Sequence, residues 1–323
     1  MPFNSLTSRT DVAALTKEDV SNAILQGIAE SNPILQMARR LPNIAQAQQR
    51  MPVIASLPVA YFVNGDTGLK QTTEMSWENK YLDAAEIAAI VPIPAAVVDD
   101  LTYDIWEQIR PRLVAAFNKV IVQAVLYGTN IPATWTTNLG GAGLVAGSTT
   151  AGHTISAAAY TDLYEAIMGE KVDGTDGLLM LVEADGFMAN GHIAHTSMRG
   201  KLRNVRDADG NPIFTRSMQD RTRYDLDGEP VFFPVDGTIV AASGLDVTGD
   251  WSQLVWAMRQ DMTYKMLTEA VIQDGAGNIV YNLAQQDMVA LRAVMRLGVA
   301  LPNPINEENE DDATRFPFAV LTA

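Results

Sequence analysis

Apolar and polar positions fall in blocks along this chain, and the period changes from block to block. Near the start, Val20, Ile24, Leu25 and Ile28 recur three and four apart behind Thr16-Lys17-Glu18-Asp19, a helix start with a threonine cap and acids in the first turn. Asn32-Pro33 ends that helix and opens a short second one through Arg40, which Pro42 closes. Residues 1–50 thus read as an arm. Met51–Val63 is rich in β-branched and aromatic residues and reads as extended, with Pro52 and Pro58 confining it to an edge. Asn64–Lys80 offers only Leu69, Met75 and Trp77 as sizeable apolar groups and reads as a turn-rich, exposed tip, after which Ile87–Val98 is apolar again. Residues 51–98 therefore read as one long hairpin projecting from the body.

Asp104–Tyr127 carries the clearest helical pattern. Ile105, Ile109, Leu113, Phe117, Val120 and Ala124 share one face, and Gly128 supplies a C-cap. Its length is about 36 Å. Pro111 inside it should kink or break the helix. Residues 131–152 read as loop, and Ser156 reads as the cap of a helix to Met168. After Gly174 the pattern turns to β: Leu178–Val182, Pro230–Val235 and Thr238–Ala242 are short apolar runs, with turn signals at Asp209-Gly210, Asp227-Gly228 and Asp236-Gly237. Leu254–Met258 and Tyr264–Gln273 follow. In Asp287–Leu301 the odd positions from 289 are apolar while Arg292 and Arg296 sit on the even face. That alternation argues strand, although its Ala, Leu, Met and Arg form helices well. As a strand it would reach roughly 46 Å, far above the usual length. The fold class is α+β, with an elongated domain and one projecting hairpin.

Composition narrows the function. Of 323 residues 47% are apolar and 19% charged, enough apolar material for a sizeable core. Acids outnumber bases 38 to 23, a formal charge of −15. A dedicated nucleic-acid binder or a protein that docks on anionic membrane needs the opposite balance. The absence of cysteine excludes disulfides, thiolate zinc sites and cysteine nucleophiles. Met1–Leu15 lacks the basic start and apolar stretch of a signal peptide, and Ala84–Val98 is too short to span a bilayer.

Candidate chemistry is sparse. His192 and His195 stand three apart and on a helix would face one way, with Asp185 or Glu183 available as a third metal ligand; neutral surface histidines are the plainer explanation. Asp207–Asn211 starts like a calcium loop but has Pro212 where glycine is required, so it reads as a turn. The glycines from Gly140 to Gly147 lack phosphate-loop spacing and read as a flexible loop. Arg199, Lys201, Arg203, Arg206, Arg216, Arg221 and Arg223 meet only Asp207, Asp209 and Asp220 nearby; they read as partners for acids of this or a neighbouring subunit, with a nucleic-acid patch as the alternative. Glu307–Asp312 reads as a solvated acidic loop. No catalytic order or spacing stands out.

Four stretches carry a family resemblance: Met51-Pro52-Val53 with Pro58–Val63; Lys80–Leu101; Asp104–Asn130, ending Val-Leu-Tyr-Gly128-Thr-Asn; and Gly249–Arg259 with Gln286–Leu301 and Phe316–Leu321. In order and spacing they resemble the major capsid proteins of tailed bacteriophages, the Hong Kong 97 fold. The resemblance implies an N-terminal arm (1–50), an extended hairpin or E-loop (51–98, tip 64–80), a peripheral domain (99–128 and 251–300) and an axial domain (129–250 and 301–323). It implies a structural virion protein, not an enzyme and without cofactor or metal. Such a protein assembles in the host cytoplasm as hexamers and pentamers into an icosahedral shell around double-stranded DNA, which it touches only weakly and non-specifically, with no membrane partner. Because only about 50 residues precede the hairpin, a separate scaffolding protein is expected, with a portal; decoration proteins are left open. Leu69, Met75, Trp77, Arg199, Arg203 and Arg206 are then the candidate inter-subunit contacts, and Pro111 the candidate bend of the long helix. Two alternatives stand beside this: an encapsulin-type nanocompartment shell, and a soluble metal-dependent enzyme using His192 and His195.

Overall fold

The computed structural model describes residues 32–63, 68–100, 105–169, 176–206, 211 and 225–323. The helix expected around Val20–Ile28, the turn at Asp209-Gly210 and Arg216, Arg221 and Arg223 lie outside these.

The first helix, α1 (Pro33–Met37), starts on Asn32, whose Oδ1 accepts from the N–H groups of Ile34 (3.0 Å) and Leu35 (3.3 Å). It stops before Arg40 because the chain turns extended at Ala38 and runs into a short strand, β1 (Arg39–Arg40), which pairs in parallel with residues 255 and 256. The Arg40 guanidinium lies 5.2 Å over the Trp256 ring. Strands β2 (Gln48–Ser56) and β3 (Ser76–Asp83) form an antiparallel ribbon. The hairpin ends there, not at Val98. The next strand, β4 (Ala85–Pro94), leaves the ribbon and pairs with residues 288–297, because its alternate side chains Ala85, Ile87, Ala89 and Val91 pack on the main core.

After α2 (Ala95–Asp100) comes the long helix α3 (Ile105–Tyr127), 23 residues and continuous through Pro111. The expected break does not occur. Pro111 lies in the second turn, so it removes the donor for one carbonyl only, and it is solvent-exposed. The rest is held by a buried face running from Leu113 through Phe117 and Ile121 to Val125. Gly128 closes the helix at φ 66°, its N–H donating to the Ala124 carbonyl at 3.1 Å. A Cβ there would stand 2.4 Å from the Ala142 carbonyl oxygen.

Two helices replace the loop expected at 131–152: α4 (Ala133–Asn138) and α5 (Leu144–Ala151). Both are short and rich in Thr, with Gly147 inside the second, so propensity hides them; buried Trp135, Leu139 and Leu144 hold them in place. Nor is the glycine run a flexible loop. Gly147 lies against the Phe316 ring, where a Cβ would be 2.5 Å from the nearest ring atom. Ser156 ends a strand, β5 (Thr154–Ser156), and precedes only a single 3-10 turn (Ala157–Ala159), its side chain making no cap bond; α6 (Leu163–Met168) begins later, on Asp162. The apolar run at 178 is a helix, α7 (Leu178–Ala184): Leu178, Leu179 and Val182 are buried while Met180 and Glu183 are exposed, a helical rather than alternating pattern.

There follow β6 (His192–Ala194), α8 (Thr196–Asn204), β7 (Asp225–Leu226) and β8 (Glu229–Phe232), with Asp227 (φ 53°) and Gly228 (φ 86°) making the expected hairpin turn. Residues 238–242 form turns instead of a strand, set by Asp236 Oδ1 accepting from the Thr238 N–H (3.1 Å). Then come β9 (Asp246–Gly249), β10 (Val255–Leu267), β11 (Val271–Gln273), β12 (Ile279–Asn282), β13 (Met288–Ala300) and β14 (Phe318–Thr322). The alternation in 289–301 is a strand, as argued, of 13 residues and about 43 Å.

The sheet orders are β1-β10-β13-β4 and β5-β14-β9-β6-β8-β7, with β2-β3 and β11-β12 as separate ribbons. One core joins α3 to the inner faces of β10 and β13 and to one face of the six-stranded sheet; a second joins α6, α7 and α8 to its other face. A small third core of Ile44, Leu82, Val255, Ala257 and Ala300 seats the hairpin's base.

Gly128→Ala should lower stability by about 2 kcal/mol or more, since it combines a left-handed backbone with a clash on main chain; thermal unfolding of the subunit reads it directly. Tyr127 gives a pH test. The Val240 N–H donates to its Oη at 3.0 Å, and burial pushes the phenol above its ordinary value of 10.0, the Val240 bond opposing in part. The unfolded phenol therefore ionises first. Its contribution is intact below pH 10 and should fade as pH rises through the folded value. Tyr127→Phe should flatten that alkaline loss in denaturation curves.

Candidate assembly interface

The hairpin's two faces differ. On one, Ile54 stands opposite Trp77, Pro52 opposite Asn79 and Arg50 opposite Tyr81. Ile54, Trp77 and Tyr81 are 36%, 64% and 40% exposed, so three large apolar side chains stand uncovered on this face beside exposed Arg50 and Asn79. On the other, Leu82 is wholly buried in the small core at the base. The base is pinned by the Trp135 Nε1–H, donating to the Asp83 carbonyl (2.9 Å), and by Asn138 Nδ2, donating to Asp83 Oδ2 (2.9 Å). Glycine is required opposite, since a Cβ on Gly298 would lie 2.9 Å from the Asp83 carbonyl. Lys80 sits 3.3 Å from Glu78 and 4.0 Å from Asp312.

Toward the tip the strand ladder stops at Ser56 and Ser76, whose hydroxyls are 2.8 Å apart. Beyond it the limbs are joined by side chains, as where the Val59 N–H donates to Thr73 Oγ1 at 2.9 Å. Leu69 (90% exposed) and Met75 (37%) are uncovered there, as the sequence suggests. The sequence reading, which has this stretch as an extended edge or irregular strand, did not single out Val59, Tyr61 and Phe62; all three are exposed, Phe62 completely. The signal was Pro58, after which the segment leaves the ladder.

Arg199, Arg203 and Arg206 come together on and just after α8. Arg203 and Arg206 are exposed and Arg199 is half-buried; Arg206 Nη1 donates to the Arg203 carbonyl at 2.9 Å, closing the helix end. They lie apart from the hairpin, in the second core's helices.

The histidines do not share a helix face. His192 lies on β6, fully buried, its Nδ1 3.0 Å from Asp246 Oδ2, and is thus no surface histidine. His195 is the cap of α8, its Nδ1 accepting from the Ser197 N–H at 3.1 Å. Asp185 serves neither. It lies 3.2 Å from His153 Nε2 and accepts from the Phe316 N–H (2.7 Å) and Asn309 Nδ2 (2.8 Å). The acidic loop is thus tied down at one side, and buried Arg315 ties it again by donating to the carbonyls of Asn309 and Asn303. Among the described residues no three His, Asp or Glu side chains gather in a metal-holding group, and no helix is long and apolar enough to cross a membrane.

This geometry is that of a building block: a body of two cores on one shared sheet, a ribbon that leaves Ile54, Trp77 and Tyr81 uncovered, and candidate histidines and acids occupied with structure. Residues 13–305 match the Phage capsid family, and the chain belongs to it. It is 26% identical over 285 residues to the major capsid protein of Staphylococcus phage 80alpha, covering 87% of this chain and 80% of that one. A solved chain of Microbacterium phage Oxtober96 superposes with TM-score 0.75 at 33% identity, covering 90% and 91%. One of Mycobacterium phage Adephagia gives 0.73 at 28%, covering 98% of each. The fold is that of tailed-phage capsids, the Hong Kong 97 type, and the chain is a structural shell protein of the virion that associates with its own kind, not an enzyme. The encapsulin and metal-enzyme alternatives are not favoured.

His192→Leu should cost about 3 kcal/mol, because it leaves the Asp246 carboxylate buried without its partner. Urea unfolding of subunits would register this as a lower midpoint with unchanged slope.

Proposed function

We propose that the chain closes as hexamers and pentamers into an icosahedral shell around packaged double-stranded DNA, each hairpin clasping a neighbouring subunit. The observation that carries this is the uncovered ribbon: Ile54, Trp77 and Tyr81 on one face and Phe62 and Leu69 at the tip have no cover in their own chain among the described residues. An isolated two-stranded ribbon is marginal in water, so a neighbour's surface supplies what its own chain does not. In this reading residues 99–128 and 251–300 form the peripheral domain, and 129–250 with 301–323 the axial domain. The second core lies wholly within the axial ranges, while the first draws on both domains and joins them. A separate scaffolding protein and a portal take part in assembly in the host cytoplasm. The net charge of −15 suits a wall that holds DNA weakly. Pro111 is the point at which α3 bends as the shell matures; a straight helix axis in every assembled state would remove that role.

Electron microscopy of the expressed protein, with and without scaffolding protein, tests the reading. Closed shells are expected, and a compact species of 35.0 kDa at every concentration and salt would overturn it. Trp77→Ala should raise the assembly threshold about tenfold or more, as loss of a central aromatic contact does; light scattering against concentration would show it. Reversing Arg203 and Arg206 to Glu should impair capsomer formation. Normal shells that fail only to retain DNA would place these arginines on the genome instead.

A further inference from the structure

Residues 108–161 contain no Asp or Glu, in a chain of 323 residues that has 38 of them. The stretch takes in α3 from its first turn onward, α4 and α5. On α3, Arg112, Ala116, Lys119 and Gln123 follow at spacings of four, three and four, and so share one side of the helix. Arg112, Ala116 and Lys119 are exposed and Gln123 is half-buried, on the side turned away from the buried face that runs through Leu113 and Phe117. The two cations stand about 10 Å apart along the axis. Among the described residues neither forms an ion pair, whereas Lys80, Arg296 and Arg315 each have an acid of their own chain. The four-stranded sheet puts this stripe on a definite side of the subunit. Its face bearing Trp256, Met258, Leu297 and Val299 packs on α3, and the opposite face, with Val255, Ala257 and Ala300, seats the hairpin's base. The hairpin's side is mixed in charge: Lys265, Arg292 and Arg296 share it with Glu86, which accepts from Arg296 Nε at 2.8 Å, and with the acidic loop, whose Asp312 lies 4.0 Å from Lys80. Beside α3 the groove wall Phe232 to Asp236 brings one acid, Asp236, whose Oδ1 already accepts from the Thr238 N–H at 3.1 Å.

We propose that the exposed stripe of α3, Arg112 to Gln123, is where the shell wall meets packaged duplex DNA, through its phosphates. This rests on the shell reading above, in which one side of the wall faces the contents. Charge selects the side. A polyanion is drawn to cations that no nearby acid cancels and is repelled by a loop such as Glu307–Asp312. The make-up of the stripe selects the partner. A protein partner is held by large, well-packed anchors. Here the side chains between and beside the cations are alanine and glutamine, and Val120 at the edge, 43% exposed, is the largest apolar group. Phosphate needs only cations and amide donors, which Arg112, Lys119 and Gln123 supply. Two cations in a subunit of charge −15 make a contact that positions the duplex without gripping it.

The chain has no cysteine, so a single engineered thiol carries a probe cleanly. Ala116→Cys keeps both cations; labelled with a photoactivatable azide in DNA-filled shells, it should link to DNA on irradiation. Ala88→Cys, exposed on the hairpin's side of the sheet, should not. DNA linked from position 88 but not from 116, a link from 116 to protein instead, or no link from a labelled 116 would each overturn the proposal. In parallel, free subunits are titrated with a short DNA duplex at several salt concentrations. Arg112→Glu with Lys119→Glu should lower the slope of log affinity against log salt by about two, the loss of two phosphate contacts. Lys265→Glu with Arg292→Glu, an equal change of charge on the other side, should leave the slope as it is. An equal fall in both pairs would trace the effect to net charge and sink the stripe. Electron microscopy of the same proteins separates this from the shell reading: a wild type that never closes takes both down, whereas closed shells with an unchanged slope take down the stripe alone.

Discussion

One strand holds this subunit together. β14 lies between β5 and β9 in the six-stranded sheet, and its side chains divide between the two cores: Phe318 and Val320 into one, Ala319 and Leu321 into the other. Phe318 meets the Trp251 ring edge-on at 4.9 Å, and its carbonyl accepts from Ser148 Oγ at 3.1 Å. Each core is thereby built against the other's back. Neither the long helix nor the cluster of short ones can shift without disturbing the shared sheet. That rigidity is what lets the hairpin stand off the body on a fixed base.

Buried polar groups serve the same end. Asp185 gathers His153, Asn309 and the Phe316 main chain, and so fixes the acidic loop that leads into β14. Such a hub is costly to leave half-satisfied and specifies one arrangement when complete. The polar residues that look most like chemistry in the sequence are thus absorbed in structure: Asp185 fixes the segment leading into the strand that joins the cores, His192 pairs with Asp246 and His195 caps α8.

What was legible in the sequence was what depends on near neighbours. The α3 face, the Gly128 stop and the Asp227-Gly228 turn are local chemistry, and the alternation of 289–301 follows from one sheet face being buried. The ordered family resemblance reached the fold. The hairpin's end at Asp83 was not legible, because β4 is claimed by β13, with Ile87 paired to Met295 across the sequence. His192 was misread because its partner, Asp246, is 54 residues away. The short apolar run of α7 satisfies either period, and only packing against the second core decides. Of the candidate interface, exposed Trp77, Leu69 and Met75 were readable from a polar setting; Phe62, in an apolar stretch, was not.

The position of β14 also sets a timetable. Its pairing with β5 joins Val320 to Thr154, whereas the ribbon closes between Gln48 and Asp83. Short loops close sooner than long ones, and folds dominated by distant pairings form slowly. The ribbon gains nothing from closing first, because alone it is marginal and its base is seated on Val255, Ala257 and Ala300. The subunit therefore acquires its projecting hairpin and the body that carries it together, once the distant strands have paired.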